Sequence, residues 1–382
     1  MVKFPHLPEQ IFQKLNNETL FRSREVERSW KYCINERNYP WRCVVNVPTI
    51  LKNSNTYLHL AAETGQIDAL KKALIEEEDT NIKNDYDETL LHHACKNGHF
   101  KIVEFLLKNT TLNIEFNAKD CKGFTAFILI CYKGYSDLAK MLIENSISLG
   151  IDINAKDCSG LAGFHLACRR GHASVVKVFM EKAAIWNIDL NAKDEKWGFT
   201  GFHWACLGDD LDTVKIFMEN AASVNLNQID FEGRTAFFLV CGKRHSNMVK
   251  ILMENSANFN LDLNAKDNIG ETAFHNACAQ NNSNNVKLLL ENSANFSIDL
   301  NAKDNSGQTA FYLACRLGRF NAVRIILENS ATFSIDLNAR DNNGRIALYL
   351  GLHSGSKRTK ELLLSNADFT NGYPTSLKYS LV

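Results

Sequence analysis

Four histidines in this chain stand three residues ahead of a cysteine: His92 before Cys95, His165 before Cys168, His203 before Cys206 and His275 before Cys278. At a spacing of i, i+3 both side chains leave the same face of a helix, and imidazole with thiolate is zinc-binding chemistry. Two such pairs on neighbouring helices would complete four ligands. The series is interrupted, because Ile128, Phe238 and Tyr312 stand at the histidine position ahead of Cys131, Cys241 and Cys315. No ligand ladder therefore runs along the chain, and neither a metal nor a cofactor is expected. Other catalytic signatures are missing too. There is no G-x-S-x-G, no G-x-x-x-x-G-K-[ST] and no H-E-x-x-H, so the expected function is binding and not catalysis.

The cysteines point instead to an architecture. Seven of them (Cys95, Cys131, Cys168, Cys206, Cys241, Cys278, Cys315) recur at spacings of 36, 37, 38, 35, 37 and 37 residues. Thiols locked to a period occupy one repeated packing site, and they are expected to be buried and reduced. Cys121 and Cys158 share a different position, near a turn, where exposure is expected. The period belongs to a repeat written nine times, most clearly in NAKDNSGQTAFYLACRLG (301–318), NAKDNIGETAFHNACAQN (264–281) and NAKDCKGFTAFILICYKG (117–134). In one copy, Asp304 and Gly307 suit the first and fourth positions of a type I turn. Thr309 stands as an N-cap ahead of a short helix. A second helix (321–329) carries an apolar stripe through Val323, Ile326 and Leu327. One turn and two short helices cannot bury their own apolar face, so the copies must stack. With helices packed roughly 8–10 Å apart, nine copies would make a curved rod of about 80 Å.

This pattern resembles the ankyrin-repeat family, whose motif carries a D-x-x-G turn, a T-P-L-H helix start and an L-A-A segment. The resemblance covers about 320 of the 382 residues. It implies an all-α fold, an α-solenoid of stacked ankyrin repeats with short β-turn arms, over residues 49–369. The four histidines then fall at the H of T-P-L-H, where they support the turn, and the cysteines at a core alanine. Three features depart from the family: alanine commonly replaces its proline (Ala126, Ala273, Ala310), cysteine its second alanine, and the usual period of 33 is stretched to about 37. The added residues lie in segments such as NFSIDL (295–300). There Phe296, Ile298 and Leu300 alternate with polar residues, which predicts an extended arm with one buried face.

Ankyrin-type repeats bind partners through their turn tips and the two residues after L-A-A. Here those pairs are Glu63-Thr64, Lys96-Asn97, Tyr132-Lys133, Arg169-Arg170, Leu207-Gly208, Gly242-Lys243, Ala279-Gln280, Arg316-Leu317 and His353-Ser354. Six positions are basic and one is acidic, and Arg244 adds a further cation. Such a stripe would steer toward an acidic segment of a protein partner. Lys and Arg also complement the dipole at a helix C-terminus by about 0.3–1 kcal/mol each, with no ligand required. Trp197, in the enlarged turn DEKWG (194–198), is the aromatic anchor candidate. The expected target-binding groove is thus Tyr132, Lys133, Arg169, Arg170, Trp197, Lys243, Arg244 and Arg316.

Lys plus Arg and Asp plus Glu each number 43, giving a formal net charge of zero, which argues against a nucleic-acid binder. The longest apolar run, Ala126–Tyr132, is far below the roughly 20 residues that span a bilayer, and MVKFPHLPEQ turns polar before any signal-peptide core develops. The chain is expected to be cytoplasmic or nuclear, free of membrane, and a monomer outside its complex.

Residues 1–48 differ from everything after them. Leu7, Ile11 and Leu15 follow at i+4, Leu20 and Phe21 open a second helix, and Val26 and Trp30 again stand four apart. About 40 residues with this much apolar surface need a partner surface. The first repeat could supply it, making the segment a cap, with Pro40, Trp41 and Pro48 marking the bend. A separate protein is the other choice. I-F-Q-K-L, then Leu20, then V-x-x-x-W resembles an F-box, the module that docks a substrate receptor onto the Skp-type adaptor of a cullin ubiquitin ligase. The resemblance implies adaptor contact through Leu7, Pro8, Ile11, Leu15, Leu20, Val26 and Trp30. It departs at the start, because Leu7-Pro8 precedes Ile11 by four residues where the family's Leu-Pro precedes it by about eight. The chain is therefore expected to be a substrate-recognition subunit of such a ligase, or alternatively a repeat scaffold capped by its own N-terminal helices. Residues 370–382 read as a tail.

Overall fold

The computed structural model describes residues 55–76 and 79–366; the F-box-like segment, its contact residues and the C-terminal tail lie outside them. The described residues contain nineteen helices and no strand. Eighteen of the helices are the two helices of nine successive copies, from Tyr57–Thr64 and Ile67–Glu76 to Ala347–His353 and Lys357–Ser365. The chain divides into two compact units between Cys158 and Ser159.

In the copy at 301–329 the sequence acts as read. Asp304 closes its turn by accepting from the amides of Ser306 and Gln308 at 2.8 Å each, and Gly307 donates to the Asp304 carbonyl at 3.0 Å. Gly307 sits at φ +77°, and a Cβ there would also collide with Asn342, so glycine is required twice over. The hydroxyl of Thr309 then accepts from the amide of Tyr312 at 3.3 Å, capping the first helix. That helix is buried nearly all round, as in Ala126–Cys131, because it packs against the first helix of each neighbouring copy in its unit. The second helix is amphipathic. Val323, Ile326 and Leu327 are buried, while Arg324 and Glu328 pair on the solvent face. The seven periodic cysteines are buried, and Cys121 and Cys158 are exposed.

The stretched period takes a different form from the extended arm that alternation predicts. Its added residues continue the helix. Ser136–Leu149 and Ala173–Trp186 run to 14 residues each, and Glu254 is followed by a separate turn, Ser256–Phe259. Each extension closes on a left-handed residue: Gly150, Asn187, Asn260, Ser297 or Ser334. An apolar residue follows and donates back across the helix end, Ile151 to Ser146, Ile188 to Ala183, Leu261 to Ser256, Ile298 to Ser293 and Ile335 to Ser330, at 2.9–3.0 Å. This is the six-to-one closure of a Schellman-type cap. Phe296 therefore lies in a turn and is half-buried; only Ile298 and Leu300 keep the alternation, both buried.

No strand forms because the segment's backbone pairs with side-chain amides of the preceding copy. Asn264 donates to the carbonyl of Ser297 (2.8 Å) and accepts from the amide of Asp299 (2.9 Å). Asn301 makes the same two bonds to Ser334 and Asp336, Asn227 to Asn260 and Asp262, and Asn117 to Gly150 and Asp152. The aspartate is itself a link: Asp299 accepts from the amide of Asn301 at 3.0 Å, which sets that asparagine for the following copy. The lysine of N-A-K-D adds a third tie, Lys266 donating to the Lys303 carbonyl and Lys303 to the Arg340 carbonyl. The four letters thus encode clamp, buried spacer, tie and turn.

Asn264→Ala removes both bonds of one clamp and is expected to lower the unfolding free energy by about 1–2 kcal/mol. Asn258→Ala, on an exposed side chain one turn earlier, should leave it within about 0.5 kcal/mol. Urea unfolding of both variants checks this, and equal midpoints would show that the clamp carries no stability.

Candidate functional site

Three of the four His-x-x-Cys histidines, His92, His203 and His275, share one arrangement with His59, which has Ala62 in place of the cysteine; in the fourth, His165, Nδ1 accepts from the amide of Ala162 at 3.2 Å and Nε2 donates to the Ala192 carbonyl at 2.9 Å. In His59, His92, His203 and His275 the Nδ1 atom accepts from the backbone amide of the N-cap threonine at 3.0–3.2 Å. The threonine hydroxyl lies 2.8–2.9 Å from the same nitrogen. Nε2 then donates to a carbonyl of the next copy: Glu88, Phe124, Arg234 and Gln308 respectively, at 2.8–3.2 Å. Both nitrogens are occupied in a single neutral tautomer, leaving no lone pair for a metal. Burial lowers the pKa of all four, to about 4 for His59 and His203, and raises the thiols of Cys95, Cys206 and Cys278. No group of three or more His, Cys, Asp or Glu side chains among the described residues is gathered as a metal site. His93 is the exception in charge. Burial opposes its protonation, but Glu63 and Glu88 flank it at 3.5 and 3.3 Å and raise its pKa.

The second unit holds a cavity of about 540 Å³ spanning four successive copies. Of the groove residues expected from sequence, Arg169, Trp197 and Lys243 line it together. Arg170, Arg244 and Arg316 are exposed but lie outside its lining, and Tyr132 and Lys133 belong to the first unit. Among the contributors not anticipated are Lys196, Phe199, Trp204 and Arg234.

The floor is aromatic and rigid. Trp197, 43% exposed, stacks on Phe199 with centroids 6.1 Å apart. Phe199 lies parallel to His203 at 5.5 Å and edge-on to Trp204 at 5.2 Å. Trp204 is fixed by its indole N–H, which donates to Asp194 at 2.9 Å. The other oxygen of that buried carboxylate accepts the amides of Lys196, Trp197 and Gly198. One aspartate thus shapes the enlarged turn and anchors the floor. The guanidinium of Arg169 lies 4.9 Å above the Trp204 ring, and the Lys196 ammonium 5.0 Å above Trp197.

The charge is uneven. Arg234 is neutralised by Asp230 and Glu232, both at 2.7 Å. Arg169, Lys196 and Lys243 have no carboxylate partner among the described residues, and no carboxylate lines the cavity. Elsewhere the basic stripe is partly consumed, since Lys96 pairs with Glu88 at 2.8 Å. Lys243 also lies beyond the end of its helix, Ala236–Cys241, so it is not one of the last-turn cations that serve the dipole. The space exists because this stretch carries glycine after the helix: Gly242 replaces a side chain, and a Cβ there would meet the Asn276 amide at 2.5 Å. Glycine in place of Lys or Arg, beside a tryptophan inside a first helix, is the signal in the sequence for this cavity.

The family described as "Ankyrin repeats (3 copies)" matches residues 58–157, 147–228, 202–304 and 296–372. The chain belongs to the ankyrin-repeat family. Ankyrin repeats are protein–protein interaction modules, and the family's proteins are generally non-enzymatic binding scaffolds. The chain is 32% identical over 106 residues to the human transient receptor potential cation channel subfamily A member 1, covering 27% of this chain and 9% of that protein. It is 40% identical over 53 residues to the probable E3 ubiquitin-protein ligase XBOS33 of Oryza sativa subsp. japonica, covering 14% and 10%. A third relative, the 26S proteasome non-ATPase regulatory subunit 10 of Rattus norvegicus, is 37% identical over 73 residues, covering 19% and 30%. The chain therefore spans less than a third of the length of these curated relatives. The crystal structure of the ankyrin repeat domain of Bcl-3 aligns with 68% of this chain and 94% of its own, at 18% identity and a TM-score of 0.47. No helix among the described residues is long and apolar enough to cross a membrane.

The neutral histidines give a signed pH dependence. Above the ordinary imidazole pKa of about 6.5 the unfolded chain holds no extra protons. As pH falls below it, the unfolded chain takes up protons that the folded His59, His92, His203 and His275 refuse, so stability declines. His93, with its raised pKa, opposes this by one proton against four. Urea midpoints should fall from pH 7.5 to pH 5. In His203→Phe, a side chain that the next copy already carries at this position as Phe238, the slope should shrink by about one proton. An unchanged slope would mean that His203 is not held neutral.

Proposed function

We propose that this ankyrin-repeat chain recognises an acidic segment of a protein target in the cavity lined by Arg169, Lys196, Trp197 and Lys243. We propose further that residues 1–48 dock a Skp-type adaptor, making the chain the substrate-recognition subunit of a cullin-type ubiquitin ligase. The observation that supports target binding most strongly is the set of three unpaired cations around an aromatic floor. All three are exposed, and two of them lie over indole rings beside open space that an acidic group can enter. The docking proposal rests on the spacing of Ile11, Leu15, Leu20, Val26 and Trp30. In this design the helices recruit the ligase, the cavity selects the target, and ubiquitin transfer belongs to other subunits.

Two assays separate the halves. Dodecapeptides selected on the wild-type chain by phage display should be rich in Asp and Glu, and the Lys196→Glu/Lys243→Glu variant should lose that enrichment. Selection without charge bias would sink the acidic-target reading. Purified Skp-type adaptor should co-elute with the wild type and be lost with Leu15→Asp/Trp30→Ala. No adaptor in the wild-type eluate would sink the F-box reading and leave a capped scaffold.

A further inference from the structure

Resting on the reading that this cavity binds the target, we infer that the anion it is built for is a phosphoryl group carried on a side chain of the bound polypeptide. The first reason is the amount of charge. Arg169, Lys196 and Lys243 converge on one cavity of about 540 Å³ with no lining carboxylate, while Asp194 beneath the floor is committed to four N–H donors. A single carboxylate would neutralise one of the three cations. Adjacent carboxylates of an extended segment point to opposite faces, and the next on the same face stands about 6–7 Å along the chain, so carboxylates do not gather their charge at one point. A phosphoryl group brings about −1.5 to −2 charges and three acceptor oxygens at one point.

The second reason is the form of the donors. The Arg169 guanidinium carbon lies 4.9 Å from the Trp204 ring centroid, a contact that uses none of its N–H donors, and these can make the paired bonds that suit phosphate oxygens. The orientation is set in advance, because Trp204 is itself held by Asp194. Lys196 and Lys243 add point charges on flexible stems, the usual complement to such an arginine.

The third reason concerns what carries the phosphate. Beside the cavity the turn tips expose an apolar row: Trp197 at 43%, Phe231 at 57% and Ile269 at 59%. Their turns are tied in sequence, Phe231 donating to the Trp197 carbonyl and Asn268, beside Ile269, to that of Glu232, beside Phe231. A row of separate apolar tips leading from a cationic cavity suits the alternating side chains of an extended peptide better than a free headgroup or inorganic phosphate.

Fluorescence anisotropy with the full-length chain tests this. Labelled degenerate peptide pools would carry phosphoserine, phosphothreonine or phosphotyrosine at a fixed centre, with matching pools carrying Glu or the unmodified residue. At least one phosphorylated pool should bind about tenfold more tightly than its Glu and unmodified counterparts. Arg169→Gln should abolish that margin, and Arg324→Gln, on the solvent face of a second helix, should keep it; matching thermal melts establish that both variants fold. Inorganic phosphate at millimolar concentration should not displace the pool. Equal binding of Glu and phosphorylated pools, or a margin that survives Arg169→Gln, would overturn the phosphoryl inference while leaving the acidic-target reading in place. Binding of no anionic pool would overturn both.

Discussion

Every copy of this repeat is too small to stand alone, and what joins it to the next is a directional polar clamp as much as shared apolar surface. Hydrophobic contact between stacked helices stabilises the pile but tolerates sliding. The bonds from Asn117, Asn227, Asn264 and Asn301 to the backbone one copy ahead do not, because each asparagine must meet one carbonyl and one amide two residues apart. The histidines repeat the device on the opposite side of the turn. Their Nδ1 caps a helix in one copy and their Nε2 reaches a carbonyl in the next. Register therefore comes from hydrogen bonds with fixed geometry, and the cost of these buried imidazoles is that they must stay neutral.

The cavity follows from that register. Arg169, Trp197, Trp204 and Lys243 come from successive copies, and a shift of one residue anywhere between them would separate the guanidinium from the indole it covers. Position along the chain also matters. Only this stretch combines an enlarged turn, a tryptophan in the first helix and glycine after the next first helix. The result is open space edged by charge, where other copies place a side chain such as Lys96, Tyr132, Arg169 or Arg316.

Periodicity made the architecture legible. Cysteine spacing, the D-x-x-G turn and the Thr cap each report a local backbone need, and each is met as read. The buried thiols and the two exposed ones follow from the same logic. The extended arm does not, because alternation over three apolar residues is also what a helix end followed by a buried return looks like; Gly150, Asn187 and Asn260 decide between them through φ. The cavity lining was half legible. Arg169, Trp197 and Lys243 stand at the family's contact positions, but Lys196, Trp204 and Arg234 reach the cavity through three-dimensional neighbours that spacing does not reveal. Nor does composition separate a free cation from a spent one: Lys96 and Lys243 occupy adjacent slots of the same motif, and only one has a carboxylate within reach.

The clamp is the claim on which the rest stands, and its amides report on it directly. Asp152, Asp262, Asp299 and Asp336 lie on exposed segments outside any helix or strand, where backbone amides ordinarily exchange with solvent at near-intrinsic rates. Each is bonded instead to an asparagine one copy back. Hydrogen exchange on the full-length chain, resolved to single amides, should find these four slowed by about a hundredfold or more, a measure of cooperative opening. Near-intrinsic exchange at these amides would contradict the account, and with it the register that brings the cavity together.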